Sequence, residues 1–264
     1  MHVSIYKTVS VLSCGWLGES LAIDLLDKGF IVKGATTSQD KKERLLEKGI
    51  DAYQLRFEDL NEAMKSFLNS DILVLNLTIK DLELYRQFLP VLEQSPVKKL
   101  ILISSTGVYQ NSEKPVDENS ELSESVWVSV ENLMKDNPNY QTTILRFSGL
   151  FGGNRKPGNF LSGRRVQNGD APVNLIHRDD CIQIINEIIK QDMWGECFNC
   201  TAETHPTKKE FYTRAAKLIG VPLPIFDEKE GNPSSFKLIT NDKLKRRLNY
   251  EFIHPDLMKA LSLF

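Results

Sequence analysis

The sequence has few cysteines, and this scarcity excludes a disulfide-stabilised secreted protein. Four cysteines in 264 residues are too few for a disulfide framework, so free thiols in a reducing compartment are expected. Cys197 and Cys200 have the C-x-x-C spacing of a redox centre or of half a zinc site. No second pair accompanies them, so two cysteines in a core strand are favoured over either site.

Long apolar runs are also absent. The most apolar stretches, residues 72–77 and 100–103, fall far short of the about 20 residues that span a bilayer. Lys7 interrupts the apolar residues of the amino terminus, which argues against a signal peptide. A cytoplasmic protein with no membrane partner is therefore expected.

No long run of charge of one sign is present. The 33 Lys and Arg residues nearly balance the 35 Asp and Glu residues, for a net charge of -2. This balance argues against nucleic-acid binding through phosphate neutralisation and against a polybasic membrane anchor. The histidines are scattered without metal-ligand spacing, so no metal site is expected. They are His2, His177, His205 and His254.

The arrangement of apolar residues predicts alternating strands and helices. Strands are predicted at residues 8–12, 30–35, 52–57, 71–77, 99–104 and 142–147. Helices are predicted at residues 17–26, 40–48 and 82–92. This alternation implies parallel strands joined by right-handed crossovers, and so an α/β fold with a doubly wound parallel sheet.

Regular alternation ends near residue 147, which predicts a small C-terminal lobe. Helices are predicted at residues 179–190 and 208–219, and a strand at 197–200. The expected division is a sheet domain over residues 1–150, followed by residues 151–264 with the last sheet elements and the lobe.

The segment from Ser13 to Gly18 lies where a dinucleotide-binding turn belongs, after the first strand and at the start of the first helix. Gly15 would let a pyrophosphate approach the backbone, and Gly18 would let helix and strand pack closely. Trp16 and Leu17 would add helix N-terminal amides. Ser13 replaces the first glycine of the motif. The alternative is a tight turn without a ligand.

The end of the second predicted strand favours NADP over NAD. An acid there would bind a ribose 2′-hydroxyl, but residues 34–38 contain none. Thr37, Ser38 and Lys41 instead suit a 2′-phosphate, unless they merely form a solvated helix start. Asp59 is a candidate acceptor for the adenine amino group, with a helix N-cap as the alternative.

Four segments together resemble the extended short-chain dehydrogenase/reductase superfamily, and within it the NAD(P)-dependent epimerase/dehydratase-like proteins. They are SCGWLG at 13–18, LISSTGVY at 102–109, LRFSGLFG at 145–152 and IHRDD at 176–180. Residues 237–261 are similar to a branch of uncharacterised bacterial members with a G-C-G-W-L-G turn. The resemblance implies an NAD(P)-binding Rossmann fold, a small-molecule substrate and a homodimer formed through helices at 82–92 and 126–134.

The resemblance also implies site residues. Ser104, Phe147 and Ser148 would adjoin the cofactor, and Ser105 would hold the substrate oxygen. Asp180 would have a structural role, capping its helix and tying the lobes together, and is not expected to take part in catalysis.

The usual Tyr-x-x-x-Lys pair of the superfamily is missing. The matching positions are Ser123 and Trp127, and no tyrosine in the chain is followed by lysine four residues later. Tyr109 is a candidate substitute as proton donor, although packing at the sheet edge is favoured.

Two functions follow from these observations. One is an NAD(P)-dependent oxidoreductase or epimerase-like enzyme acting on a small polar or nucleotide-linked substrate. The other is a dinucleotide-binding sensor or regulatory protein without turnover.

Overall fold

The computed structural model describes residues 5–227 and 236–264, so His2 lies outside the described residues. The chain divides into two compact units that interleave along the sequence. The first comprises the described parts of residues 1–104, 124–145 and 184–197, and the second those of 105–123, 146–183 and 198–264. The expected domain boundary at residue 150 stays a prediction.

Strands and helices alternate through most of the described chain. The strands are β1 (Thr8–Leu12), β2 (Ile31–Thr36), β3 (Asp51–Gln54), β4 (Ile72–Leu75), β5 (Lys99–Ser105), β6 (Gln141–Phe147), β7 (Gly149–Phe151), β8 (Arg165–Val166), β9 (Leu175–His177), β10 (Cys197–Cys200) and β11 (Ile225–Phe226). The helices are α1 (Trp16–Asp27), α2 (Gln39–Glu47), α3 (Glu62–Phe67), α4 (Leu82–Glu93), α5 (Val126–Lys135), α6 (Arg178–Lys190), α7 (Lys208–Leu218), α8 (Asp242–Leu248) and α9 (Leu257–Ala260).

Seven strands form the central sheet, in the order β10-β6-β5-β4-β1-β2-β3. The doubly wound parallel sheet predicted from the sequence is confirmed. After β3 the chain crosses back over β1 to begin β4, so strand order reverses between β1 and β4. In open α/β sheets ligands bind outside the carboxyl ends of the strands at such a switch point.

The apolar runs bury their strands as expected. Every residue of β4 is buried, and the middle of β5 is buried as well. In α1 the buried residues Leu17, Leu21 and Leu25 recur every four positions, which gives the helix one buried face. The core of the first unit therefore lies where sheet and helices pack together.

Several local features of the first unit differ from the sequence prediction, and β4 ends at Leu75, not at residue 77. The third strand ends at Gln54, not at residue 57. Phe57 is nevertheless buried in the core, which explains why an apolar pattern continued past the strand. Helix α3 was not predicted; it begins after Asn61, whose side chain accepts hydrogen bonds from the amides of Ala63 and Met64.

The second unit contains two short parallel pairs, β7 with β9 and β8 with β11. Strands of two or three residues leave no periodic pattern, and none of the four was predicted. Asp180 is buried and accepts hydrogen bonds from Tyr250 Oη and from the amides of Ile253 and His254. It thus has a structural role, holding the segment near residue 253.

Cys197 and Cys200 belong to β10, as the core-strand interpretation expected, and neither forms a disulfide bond. Within residues 5–227 and 236–264, no helix is long and apolar enough to cross a membrane.

Candidate functional site

A cavity of about 630 Å³ opens in the first unit at the switch point between β1 and β4. Its lining comes from the segments that follow β1, β2, β3 and β4. They are residues 12–15, 35–38, 55–58 and 77–79, with Lys41 from α2. Five of the residues predicted to bind the cofactor line it: Ser13, Gly15, Thr37, Ser38 and Lys41.

The turn after β1 is fixed by contacts from both neighbouring strands. The amide of Cys14 donates to the carbonyl of Ala35 at 2.7 Å, and Asn76 Nδ2 donates to the carbonyl of Ser13 at 3.2 Å. Ser13 has a φ of 81°, a left-handed conformation that glycine adopts more readily. Serine thus adopts a left-handed conformation at the motif's first glycine position. Asn76 lies 63 residues away and carried no sequence signal.

Gly18 and Gly15 have different surroundings in the turn. A Cβ at Gly18 would lie only 2.1 Å from the Ser13 carbonyl oxygen, so the fold itself demands glycine there. A Cβ at Gly15 would meet nothing closer than Ser13 Oγ at 3.8 Å. Among the described residues outside its chain neighbours, only Ser13 comes within 4 Å of this Cβ position, which lies on the lining of the cavity. This open position is a cradle that suits an approaching pyrophosphate.

Trp16, Leu17 and Gly18 open α1. The Leu17 side chain is buried in the core, so its contribution to a ligand would come from its backbone. The first turn of a helix presents amide groups and a partial positive charge. The α1 terminus therefore adds an electrostatic preference for anions at this cavity.

Glu19 binds two lysines, Lys41 on the cavity lining and Lys48 at the C-terminal end of α2. Its carboxylate lies 3.0 Å from Lys41 Nζ and 2.8 Å from Lys48 Nζ. Partial burial acts to raise the pKa of Glu19, but hydrogen bonds from both lysines hold it below its usual range. Sequence reasoning missed this group, which partly neutralises the charge of Lys41. The Ser38 hydroxyl caps α2 by accepting from the Lys41 amide.

Cys14 is chemically inert despite its place in the turn. Burial raises the pKa of its thiol to about 12. The side chain contributes packing, and its thiol stays protonated at neutral pH.

The remaining predicted cofactor residues are engaged within the protein. The Asp59 carboxylate accepts from the Arg56 amide at 3.2 Å, and α3 is capped by Asn61 instead. Ser104 Oγ donates to buried Glu131 at 2.5 Å. Phe147 and Ser148 are buried in the second unit. A cofactor role for these four residues stays a prediction.

Ser105 is exposed at the end of β5, and its Oγ accepts a hydrogen bond from the Gly107 amide at 3.0 Å. Its position leaves the hydroxyl accessible to a substrate. The two positions of the missing catalytic pair have structural contacts. Ser123 Oγ donates to the Val108 carbonyl at 2.9 Å, and Trp127 packs against the core of the first unit.

Tyr109 lies in a buried polar network of the second unit. Its hydroxyl donates to Asn199 Oδ1 at 2.6 Å and accepts from Arg146 Nη1 at 2.7 Å. The Arg146 guanidinium also stacks on the Tyr109 ring, 4.9 Å from its centroid. These contacts support the packing interpretation over proton donation.

Comparison with known proteins places the chain in a family. No protein-family model matches it. Protein YeeZ of Escherichia coli K12 is 30% identical over 267 residues, which cover 95% of this chain and 97% of YeeZ. The chain belongs to the YeeZ family.

Solved structures show which fold this YeeZ-family chain adopts. A short-chain dehydrogenase/reductase superfamily protein from Agrobacterium tumefaciens with bound NAD is 16% identical, with a TM-score of 0.77 and coverage of 97% of both chains. A mutant UDP-glucuronic acid 4-epimerase from Bacillus cereus, in complex with a fluorinated UDP-sugar and NAD, is 17% identical, with a TM-score of 0.78 and coverage of 97% of this chain and 98% of that chain. The Rossmann-like fold that the resemblance implies is thus confirmed for the YeeZ-family chain.

Proposed function

We propose that this YeeZ-family protein binds a nicotinamide dinucleotide in the cavity at the β1/β4 switch point, and NADP(H) in preference to NAD(H). The observation that carries the proposal is the open position beside Gly15, which the fold leaves unfilled although glycine is not needed there for packing. The bound NAD of the Agrobacterium tumefaciens structure supports the same class of ligand.

The residues of the cavity fit such a ligand. The Gly15 backbone and the α1 N-terminus would hold the pyrophosphate, because both offer amide donors. Thr37, Ser38 and Lys41 line the cavity at the end of β2 and would hold a 2′-phosphate. The absence of an acid there supports NADP(H), while the Lys41–Glu19 ion pair limits that preference.

We further infer an oxidoreductase or epimerase-like activity on a small polar or nucleotide-linked substrate. When bound, the nicotinamide would supply hydride transfer. The exposed Ser105 hydroxyl would orient the substrate oxygen. The proton would come from Tyr109, Ser123, water or the substrate itself. The UDP-sugar in the Bacillus cereus structure supports a nucleotide-linked substrate class.

A second function, dinucleotide sensing without turnover, is favoured by the contacts of the lost catalytic pair. Trp127 packs in the core, and the hydroxyl of Ser123 is bound to a carbonyl. Tyr109, the remaining phenol of the motif, is held by Arg146 and Asn199. Structural contacts thus occupy the groups that would relay a proton.

The first experiment is a titration of cofactor-stripped protein with NADPH and NADH, followed by tryptophan fluorescence. Saturable binding with a preference for NADPH is expected. If Trp16→Phe loses the fluorescence change while calorimetry still detects binding, Trp16 is the reporter. No binding of either cofactor at millimolar concentration would refute both functions.

A turnover screen then separates the two functions. Carbonyl and nucleotide-sugar substrates are tested with the preferred cofactor, using wild-type protein, Ser105→Ala and the exposed control Ser129→Ala. Activity that Ser105→Ala abolishes and Ser129→Ala retains supports the enzyme. Binding without turnover across these classes supports the sensor.

A further inference from the structure

Three side chains that are far apart in the sequence meet in the second unit. His177 ends β9, Asp179 lies in the first turn of α6, and His254 lies in the segment before α9. Asp179 Oδ2 lies 3.3 Å from His177 Nδ1 and 3.3 Å from His254 Nε2. All three potential ligand atoms lie within 4.8 Å of one another. One carboxylate oxygen is therefore flanked by two imidazole nitrogens.

We propose that His177, Asp179 and His254 form a binding site for a divalent transition-metal ion, for which zinc is the best probe. Zinc binds imidazole nitrogen and carboxylate oxygen at about 2.0–2.2 Å, usually with tetrahedral geometry. A tetrahedron with such bonds spaces neighbouring ligand atoms about 3.3–3.6 Å apart. The two separations of 3.3 Å in the structure match this spacing. Magnesium and calcium prefer all-oxygen ligand sets, so they fit the cluster poorly.

The His177 ring is fixed by packing on its other edge. Its side chain is only 4% exposed. A Cβ on Gly152 would lie 2.6 Å from His177 Nε2, so this edge packs directly against the Gly152 backbone. Phe151 adds an edge-to-face contact at 5.1 Å between ring centroids. These contacts leave the Nδ1 edge facing Asp179.

The position of His254 is fixed by the neighbouring acid of α6. Buried Asp180 accepts from the amides of Ile253 at 2.7 Å and His254 at 3.1 Å. Tyr250 Oη donates to the same carboxylate at 2.9 Å. Asp180 thereby holds the His254 segment beside the start of α6. The ligand set is preorganised, so little conformational entropy would be lost on binding an ion.

The cluster is accessible from solvent. The side chain of Asp179 is 46% exposed and that of His254 is 17% exposed, so solvent reaches the carboxylate. Two existing contacts would compete with the ion. The Asp179 amide donates to His177 Nδ1 at 3.3 Å, and Arg178 Nε lies 4.0 Å from Asp179 Oδ1. Both distances are near the upper limit for a hydrogen bond and an ion pair, so both contacts are weak, and binding of an ion would replace them or exceed them in energy.

The test is a titration of the full chain with zinc chloride by calorimetry, with cobalt(II) as a spectroscopic substitute. Wild type should bind one ion per chain at this site, show the intense visible absorption of tetrahedral cobalt, and unfold at a higher temperature with zinc. Asp179→Asn and His254→Gln should bind at least about tenfold more weakly. His205→Gln is the matched control, because His205 is half-buried in the same unit and contacts the Val173 carbonyl.

Several results would overturn the proposal. They are no zinc binding by wild type at millimolar concentration, unchanged affinity in both Asp179→Asn and His254→Gln, or loss of binding in Cys197→Ser, which would assign the ion to a thiol. Near-UV circular dichroism without metal checks that the variants are folded. If neither variant folds, the wild-type cobalt spectrum decides, since a weak octahedral spectrum refutes the proposed ligand set.

Discussion

Alanine substitutions at Gly15 and Gly18 should separate ligand binding from folding at the turn. In Gly18→Ala the new methyl carbon would lie 2.1 Å from the Ser13 carbonyl oxygen. Ordinary carbon–oxygen contacts are about 3.3–3.6 Å, so the turn must move by about 1.2–1.5 Å. Overpacking of this kind costs about 1–3 kcal/mol. The shift also weakens the hydrogen bond from Asn76 to that carbonyl, worth about 1 kcal/mol. A total loss of about 2–4 kcal/mol in the free energy of unfolding is expected.

Gly15→Ala should behave in the opposite way. Its φ of −72° suits alanine, and the new Cβ would meet only Ser13 Oγ at 3.8 Å. Alanine is less favourable than glycine at an N-cap, which lowers stability. Alanine also lowers the conformational entropy of the unfolded chain, which raises stability by about 0.4–1 kcal/mol. The net change in stability should stay within about 1 kcal/mol. The methyl group projects where a pyrophosphate would approach, so affinity for NADPH should fall about tenfold or more.

Urea unfolding and NADPH titration of both variants measure these effects side by side. Wild-type stability in Gly18→Ala would refute the steric account of the turn. Wild-type NADPH affinity in Gly15→Ala would refute the position given to the pyrophosphate. Each variant serves as the control for the other, because both add one methyl group to the same turn.

Three further predictions concern charge, burial and thiol chemistry. Lys41→Met should lower NADPH affinity about two- to fivefold without affecting NADH, as parallel titrations would detect; an equal loss for both would contradict the 2′-phosphate role. Asp180→Asn weakens a buried carboxylate that accepts three hydrogen bonds, and should lower the free energy of unfolding in urea by about 2–4 kcal/mol. The control Asp242→Asn, at an exposed position, should change it by less than about 0.5 kcal/mol. Because burial raises the pKa of Cys14 to about 12, its thiol should resist a disulfide reagent at pH 8. The half-buried Cys197 should react first. Mass mapping that finds Cys14 modified first in the folded protein would refute this prediction. The thiol contribution of Cys14 to stability should be complete below pH 9 and lost as the pH rises toward 12, since only the unfolded state ionises in that range.

The sequence alone determined the sheet and the location of the turn, because both depend on local patterns. The apolar residues of β4 and β5 require burial on both faces, which only an interior strand provides. Gly18 follows β1 at the sequence distance where helix and strand must pack closely. In the structure a Cβ at this position would lie 2.1 Å from the Ser13 carbonyl oxygen, which explains the glycine. Local composition likewise located the bounds of β1 and β10 at the observed residues.

Tertiary structure alone decided which distant side chains share a site. Asn76 holds the Ser13 carbonyl because strand order places β4 beside β1, and Glu19 neutralises Lys41 because α1 and α2 flank neighbouring strands. His177 and His254 are separated by 77 positions, and their meeting depends on the hydrogen bonds of Asp180. Such contacts join residues that are far apart in the sequence, and long-range contacts leave no periodic signal in the sequence.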